Sequence, residues 1–510
     1  MARKFDNIIK QIDFDDKYQC QIETEKIIKD PKYKYDIRNP IIQIKTEEEL
    51  KKYIYPRIEY FHNNKKNQNN KVSKNNIFTK DIDKILTNKK LSIYDNTDKK
   101  HTYNTLDYIF NNFHTALFVQ ILNNKIHTFV LLSNYKSHLS MLNHLNIVDP
   151  SKYKNIDNFI HKMNERYYKN YTLMKKEEDS IYFTDCYINI WESSPAFKEQ
   201  YYWFYTYQYH LLTNLLKNKK INDIEFILNY KDVNMLTKTG EHNPHYHILG
   251  NLTTPLNKKY KPFIPILNFG SHNKFADIPI PTNDDWEICT NKIFLGNCRN
   301  IYFDILKDIN LDYDNKIPTA IFRGSATGCG AIIKNNPRLK AAYLSNKFYN
   351  HPKYGINNNN DGHLYLDAKI TAFKTKLKKH YSEKYMNIID RHKLNLKVGK
   401  KLNLSEITNY KYILSIEGNI AAFRLTLELA YNSVILLVKS EFYIWHQPLL
   451  KEWIHYVPVK SDLSDVMEKI EWCKNNDDKC KIIAKNAREF FKKYINTNSI
   501  YDYMEIILNY

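Results

Sequence analysis

The chain has 510 residues, of which 43% are hydrophobic and 26% charged. That balance excludes bulk disorder and, at about 150 residues per domain, predicts roughly three domains or two with an extension. Lysine plus arginine outnumber aspartate plus glutamate by 76 to 56, a net charge of +20 that invites a nucleic-acid reading. The rest of the composition argues against that reading. Tyrosine is inflated to 41 residues and glycine falls to 11. Joint enrichment of Lys, Asn, Ile and Tyr is what AT-rich coding drift writes, as in many large DNA viruses and some protists. Such drift scatters lysine over solvated faces without any anionic partner.

Residues 1–14 hold no apolar stretch of signal-peptide length, and runs such as Val434–Val438 are strand-sized, too short to span a bilayer. The seven cysteines (Cys20, Cys186, Cys289, Cys298, Cys329, Cys473 and Cys480) are odd in number and form no CxxC, which suggests neither a disulfide framework nor a zinc ribbon. The expectation is a reduced, cytoplasmic protein without a membrane span.

In chain order, residues 1–105 are mixed and charged, with a polar low-complexity loop at Asn63–Lys71, and read as an extension of unknown role. Ala116–Leu122 and Ile126–Leu132, joined through Asn123, Asn124 and Lys125, predict a β-hairpin. Ala196–Lys217 is long and apolar enough for a buried helix. Glu225–Asn229 reads as a short buried strand, Pro265–Asn268 begins another, and Asp277–Pro281 must be extended because Pro279 and Pro281 forbid helix. From about residue 290 the chain alternates. Strands are expected at Ile317–Phe322, Tyr412–Ile416, Val434–Val438 and Ile454–Val459. Helices are expected at Asn336–Ser345, Ile420–Tyr431, Asp462–Lys474 (capped by Ser461 or Asp462) and Asp478–Lys493, with turn and helix over Glu441–Leu450. Repeated β-α-β units imply α/β architecture, a parallel sheet covered on both faces.

The glycines all lie between Gly240 and Gly418, which places the backbone-dependent chemistry in the second half. One candidate constellation is Tyr412–Arg424, a buried strand ending at Gly418 and entering a helix that opens with small residues. Such a junction presents N–H groups to a ligand beyond the strand's carboxyl end, phosphate being the usual occupant. Arg424, one to two turns into that helix, could return to the same crevice or pair with Glu428 on a solvated face. A second is Pro318–Gly328, where an apolar strand ends in Arg323 before a loop of small and hydroxyl residues. Two arginines aimed at one crevice suit a pyrophosphate, though Arg323 alone could be a surface residue. The loop lacks Gly-Lys-Ser/Thr and is not a Walker loop. A third is Asp232 after the strand Glu225–Asn229, a general base if the two halves face each other and a turn former otherwise. His242, His245 and His247 have crowded ligand-like spacing but read as a polar loop rather than a zinc site. The Asp-x-Asp pairs at Asp13/Asp15, Asp81/Asp83 and Asp312/Asp314 could hold a nucleotide's metal, but a chain rich in aspartate produces them by chance. The aromatic run Tyr201–Tyr205 could stack bases but at helical spacing reads as core.

Thr319–Ser325, Gly418–Arg424 and Trp453–Ser464 occur in an order that resembles glycosyltransferase family 90, which includes the Rumi-type protein O-glucosyltransferases and the fungal capsule-associated xylosyltransferases. Ser440–Tyr443, Asn475–Asp478, Asn229–Asp232, Phe269–Ser271 and Asp277–Pro279 resemble further blocks of that family. The resemblance is good from about 220 to 495 and faint from 110 to 220.

The resemblance implies a GT-B arrangement of two facing Rossmann-like domains: residues 106–290 on the acceptor side, 291–485 holding the nucleotide-sugar, and 486–510 as a helical tail. It implies an inverting transfer from a UDP-sugar, glucose or xylose, to a hydroxyl of a protein or glycan, with no catalytic metal and no other cofactor. Asp232 would be the base. Arg323 and Arg424 would hold the diphosphate, with Gly324, Ser325, Gly418, Asn419, Ile420, Ala421, Ala422, Phe423 and Ser271 around the nucleotide-sugar. Asp232 is followed by Val233-Asn234 rather than the aromatic-proline pair of animal members, a departure on the acceptor side. The rival readings are a catalytically silent binding or structural relative, and a basic nucleic-acid-binding protein.

Overall fold

The computed structural model describes residues 34–35, 43–66, 70–81, 94–113, 115–133, 174–177, 180–183, 195–229, 233–238, 262–290, 293–294, 312–356, 362–373, 389 and 391–509. Its first half is built on a mixed sheet. In chain order the elements are β1 (Gln43–Ile44), α1 (Tyr55–Asn64), α2 (Lys99–Asn112), β2 (Thr115–Leu122), β3 (Lys125–Ser133), α3 (Pro195–Asn218), β4 (Ile224–Asn229), β5 (Ile266–Asn268), β6 (Ser271–His272), β7 (Ile278–Pro279) and α4 (Asn283–Thr290). Six strands hydrogen-bond in the order β7-β5-β4-β2-β3-β1, antiparallel at β2/β3 and β2/β4 and parallel elsewhere. The predicted hairpin is present. Asn123 and Asn124 adopt φ of 50° and 58°, the left-handed pair a two-residue hairpin turn requires, and Lys125 already belongs to the second strand. The read extension contributes directly to this half: β1 pairs with β3, and α1 and α2 bury Ile58, Phe61, Leu106 and Ile109.

The second half is a parallel sheet. Its elements are β8 (Ile317–Ser325), α5 (Pro337–Phe348), β9 (Leu366–Ala372), β10 (Tyr410–Ser415), α6 (Leu425–Ala430), β11 (Val434–Val438), β12 (Phe442–Tyr443), β13 (Val457–Val459), α7 (Val466–Asn475), α8 (Asp477–Tyr494) and α9 (Thr497–Asn509). Five strands run parallel in the order β9-β8-β10-β11-β13. Alternation fills both faces. Ala320, Phe322, Leu414 and Leu436 join a core with α5 and α7, whereas Ile321 and Ile413 pack with α6.

Three expectations are corrected. The helix read over 420–431 shrinks to α6, because Ile420 and Ala421 are drawn aside against Gly270 of the first half. The helix read from Asp462 starts at Val466. Leu463 turns the chain at φ 56°, Asp462 caps only the turn at Ser464 N, and Asp465 accepts from Lys460 N. The segment 441–450 opens with a strand: β12 pairs antiparallel with β6, so the two halves share a short ladder.

Other contacts close the same seam. Trp445 Nε1 donates to the buried Asp285 of α4 at 2.8 Å. The tail helix α9 returns to the first half, where Asn76 Nδ2 donates to Asp502 O at 2.7 Å and to Glu505 Oε2 at 2.9 Å, and Lys219 pairs with Asp502 and Glu505. One apolar core accordingly contains Leu117 and Val119 from the first sheet, Ile435 and Leu437 from the second, and Met504 and Ile506 from α9. Among the described residues no helix is long and apolar enough to cross a membrane. Asn76→Ala removes two buried hydrogen bonds to α9, at Asp502 O and at Glu505 Oε2, the latter keeping Lys219. It is expected to cost about 1–3 kcal/mol, read as a lower urea midpoint, and an unchanged midpoint would refute the role of this contact.

Candidate active site

The strand order places a ligand crevice. After β8 the chain passes through α5 to β9 on one side, and after β10 it passes through α6 to β11 on the other. The connections diverge between β8 and β10, and in parallel sheets the carboxyl ends flanking such a switch point bind ligands. The two loops singled out in the sequence, after Phe322 and after Ser415, are those flanking ends.

Arginines from opposite faces of the sheet meet there over Gly324. Arg338 stands in the first turn of α5 and Arg424 directly precedes α6. A Cβ placed on Gly324 would lie 3.4 Å from a terminal nitrogen of each, and 2.9 Å from Phe322 Cζ. An added methyl would touch both guanidinium groups at contact distance and would clash with the Phe322 ring, so glycine lets that ring lie beneath them. Both also stand over the Phe322 ring, with Cζ atoms 5.8 Å and 5.1 Å from its centroid.

Arg338 ties the two strand ends together. Its Nε donates to Glu417 O at 2.6 Å and one terminal nitrogen to Ile416 O at 3.1 Å. The other donates to Ser325 O at 3.0 Å and Thr327 Oγ1 at 2.6 Å. Asn336 caps α5 by accepting from Arg338 N and Leu339 N, and donates to Thr327 O and Gly330 O. Across the crevice Asn419 Oδ1 accepts from Gly328 N, where φ is 95°.

The other expected residues are placed as follows. Arg424 is not inside a helix but at its start. Its NH1 donates to Arg323 O at 2.6 Å, its Nε lies 3.2 Å from Glu428 Oε1, and its NH2 has no hydrogen-bond partner among the described residues. The i,i+4 pairing with Glu428 is therefore present, on a buried carboxylate rather than a solvated face. Arg323 turns sideways along the sheet, donating to Asp367 Oδ2 at 2.6 Å, Asp367 O at 2.7 Å and Phe322 O at 2.9 Å, while its Nε is unpartnered. Arg323, Arg424 and Glu428 line one small cavity with Ile407 and Tyr431. Gly324, Ser325 and Gly418–Phe423 all flank the switch point. Ile420 and Ala421 are buried in the seam, and Phe423 stacks edge-on with Phe269. Ser271 is buried in β6, where its hydroxyl donates to Asp277 O at 2.7 Å. Asp232, His242, His245, His247, Asp13, Asp15 and Asp83 lie outside the described residues. Asp314 pairs with Lys481 on the surface, and Tyr205 and Tyr207 are core.

Two site residues escaped the sequence reading. Arg338 sits two positions after a good N-cap, Asn336 with Pro337 at the first helical position, a signal that fixes where its side chain begins but not what it reaches. Glu417 is the residue before Gly418. Burial pushes its carboxyl up to about 8, opposed by Arg338 and reinforced by Glu441.

Residues 185–510 match the model of Glycosyl transferase family 90, more than half of the chain. The chain belongs to that family. It is 35% identical over 463 residues to an uncharacterized protein of Invertebrate iridescent virus 6, covering 81% of this chain and 37% of the relative. It is 32% identical over 435 residues to an uncharacterized protein of Invertebrate iridescent virus 3, covering 82% and 37%. Human Protein O-glucosyltransferase 1 is 26% identical over 296 residues, 57% of this chain and 62% of that protein. The chain thus spans about a third of the length of these viral relatives and under two thirds of that of the O-glucosyltransferase. The family match includes α9, the helix that closes the seam.

The Glu417 shift has a testable sign. Between its unfolded value of 4.5 and its folded value of about 8, the folded chain holds a proton that the unfolded chain releases, so this group's contribution is full below the lower value and lost as pH rises to the upper. The melting temperature of the wild type is expected to fall relative to that of Glu417→Gln over that window. A difference independent of pH would refute the assignment.

Proposed function

We propose that the protein is an inverting glycosyltransferase that moves a sugar from a UDP-sugar, glucose or xylose, to a hydroxyl of a protein or glycan. The observation that carries this reading is the meeting of Arg338 and Arg424 over Gly324 at the switch point. Expelling UDP builds negative charge on the leaving diphosphate, and preoriented guanidinium groups in a water-poor crevice stabilise that charge more than water does. In this reading the arginines meet that charge without a catalytic metal. Arg424, with its unpartnered NH2, makes direct contact, and Arg323 shapes the wall beside it.

The acceptor hydroxyl is a poor nucleophile near neutral pH, so a carboxylate must take its proton as attack proceeds. Asp232, which follows β4 of the first sheet, is assigned that role. Inversion needs the base and the phosphate clamp on opposite walls of one cleft, as a GT-B pair of facing Rossmann-like halves supplies. The β6–β12 ladder and the return of α9 to the first half support that arrangement.

A panel of UDP-sugars incubated with the protein and a protein acceptor is expected to give UDP release with one or two donors. Release with none would sink the reading. Asp232→Asn is expected to abolish turnover while leaving UDP affinity within about twofold. Wild-type turnover in that variant would remove Asp232 from the mechanism. Arg424→Ala is expected to weaken UDP binding by roughly 1.5–3 kcal/mol, about 10- to 150-fold in Kd, by calorimetric titration, and an unchanged Kd would move the diphosphate elsewhere.

A further inference from the structure

Glu417 stands just beyond the carboxyl end of β10, beside the crevice, and its carbonyl is committed. Its carbonyl accepts from Arg338 Nε and that of Ile416 from an Arg338 terminal nitrogen. Its side chain is not. Oε2 is buried and has no hydrogen-bond partner among the described residues, where the charged groups that face it are Arg338 and Glu441. Glu441 in turn lies 3.3 Å from His272 and is exposed. A buried carboxyl oxygen without a donor is costly and calls for an external partner. Building it beside an anion cradle, with its backbone clamped by the arginine that forms the cradle, is a local conflict unless the ligand supplies a donor there.

We propose that Glu417 accepts a hydrogen bond from a hydroxyl of the bound nucleotide-sugar and thereby selects ligands carrying that hydroxyl. The inference rests on the nucleotide-sugar reading above. A phosphate oxygen carries no proton at neutral pH and can only accept, so it suits the carboxyl only while the carboxyl keeps its proton, whereas a hydroxyl, donor and acceptor at once, serves both forms. The N–H of uracil is likewise a poor partner for the charged form. It lies between two carbonyl oxygens that would confront both oxygens of the carboxylate. A hydroxyl donates singly and rotates to suit. Ribose and the transferred sugar are the two hydroxyl-bearing groups, one on each side of the diphosphate, so either falls within reach of a carboxyl adjoining the cradle.

The test is calorimetric titration of wild type, Glu417→Ala and Glu417→Gln with UDP, 2′-deoxy-UDP, 3′-deoxy-UDP, UDP-glucose and UDP-xylose. If the hydroxyl belongs to ribose, Glu417→Ala weakens UDP about tenfold or more and leaves one deoxy nucleotide unaffected, erasing the wild type's discrimination between the two. If it belongs to the sugar, UDP binds as before and only the UDP-sugars weaken. Glu417→Gln keeps the side-chain volume and one acceptor, so it folds and falls between the other two. Equal weakening of every ligand with discrimination intact would mark Glu417 as merely structural and overturn the proposal, as would unchanged binding of all of them. Failure of the wild type itself to bind UDP or either UDP-sugar would instead overturn the nucleotide-sugar reading, and this proposal with it.

Discussion

The crevice depends on one side chain bridging two strand ends. β8 and β10 are neighbours only through their amino-terminal parts: Ile317, Ala320 and Ile321 pair with β10, and beyond Ile321 the register passes to β9 alone. From there the loops after β8 and β10 are free of ladder hydrogen bonds to each other. Arg338 replaces that ladder. A planar fork with five donors is suited to gather carbonyl oxygens converging from two chains, and no shorter or single-pointed cation could do so. The cost is desolvation of a guanidinium, offset by four hydrogen bonds to oxygen. Asn336 and Pro337 fix the turn from which Arg338 reaches, so the helix start serves as a mount rather than as the anion site.

The second constraint is the seam. A two-residue ladder, a tryptophan N–H on a buried aspartate, and a tail helix anchored by Asn76 and Lys219 hold the two sheets against each other. Each is small, but they surround a single apolar core to which both sheets contribute. Burial on that scale dominates the energetics, and the polar contacts set the register in which it occurs. The same seam pulls Ile420 and Ala421 out of the helix that their sequence favours. Local propensity loses there to packing against Gly270. The loss is useful to the site, because unwinding residues 418–424 is what frees Arg424 to lie across Gly324.

This conflict explains what could be read beforehand. The hairpin at Asn123-Asn124, the buried helix of residues 195–218 and the parallel strands Val434–Val438 and Tyr410–Ser415 follow from period and turn chemistry, which are local. The two strand-end loops were legible for the same reason, since glycine and small residues after an apolar run mark a close approach. The partners of the charged groups were not. Arg323, expected beside the diphosphate, pairs with Asp367, 44 residues away, and Arg338 makes its bonds to Ile416 and Glu417, 78 and 79 residues away. Nothing periodic encodes such pairings. The short β12 was equally invisible, because two residues of ladder carry no pattern.

The charges around Gly324 are held in different ways. Arg323 faces Asp367 and Arg424 faces Glu428, but Arg338 directs these bonds to carbonyl oxygens and a hydroxyl, which carry no net charge. The remaining carboxyl, Glu417, is kept protonated near neutrality by burial. Arg338 and Arg424 therefore concentrate positive charge over Gly324 where solvent is scarce. An anion entering the crevice gains more than it would at an exposed lysine, because the field is stronger in a low dielectric and the donors are already oriented. Glu417 can remain neutral beside that charge only because desolvation outweighs the attraction of Arg338. A bound diphosphate adds repulsion and raises the carboxyl further, so binding of the anion and retention of this proton reinforce each other. The overall charge of +20 plays no part in this. What matters is where Arg338 and Arg424 meet.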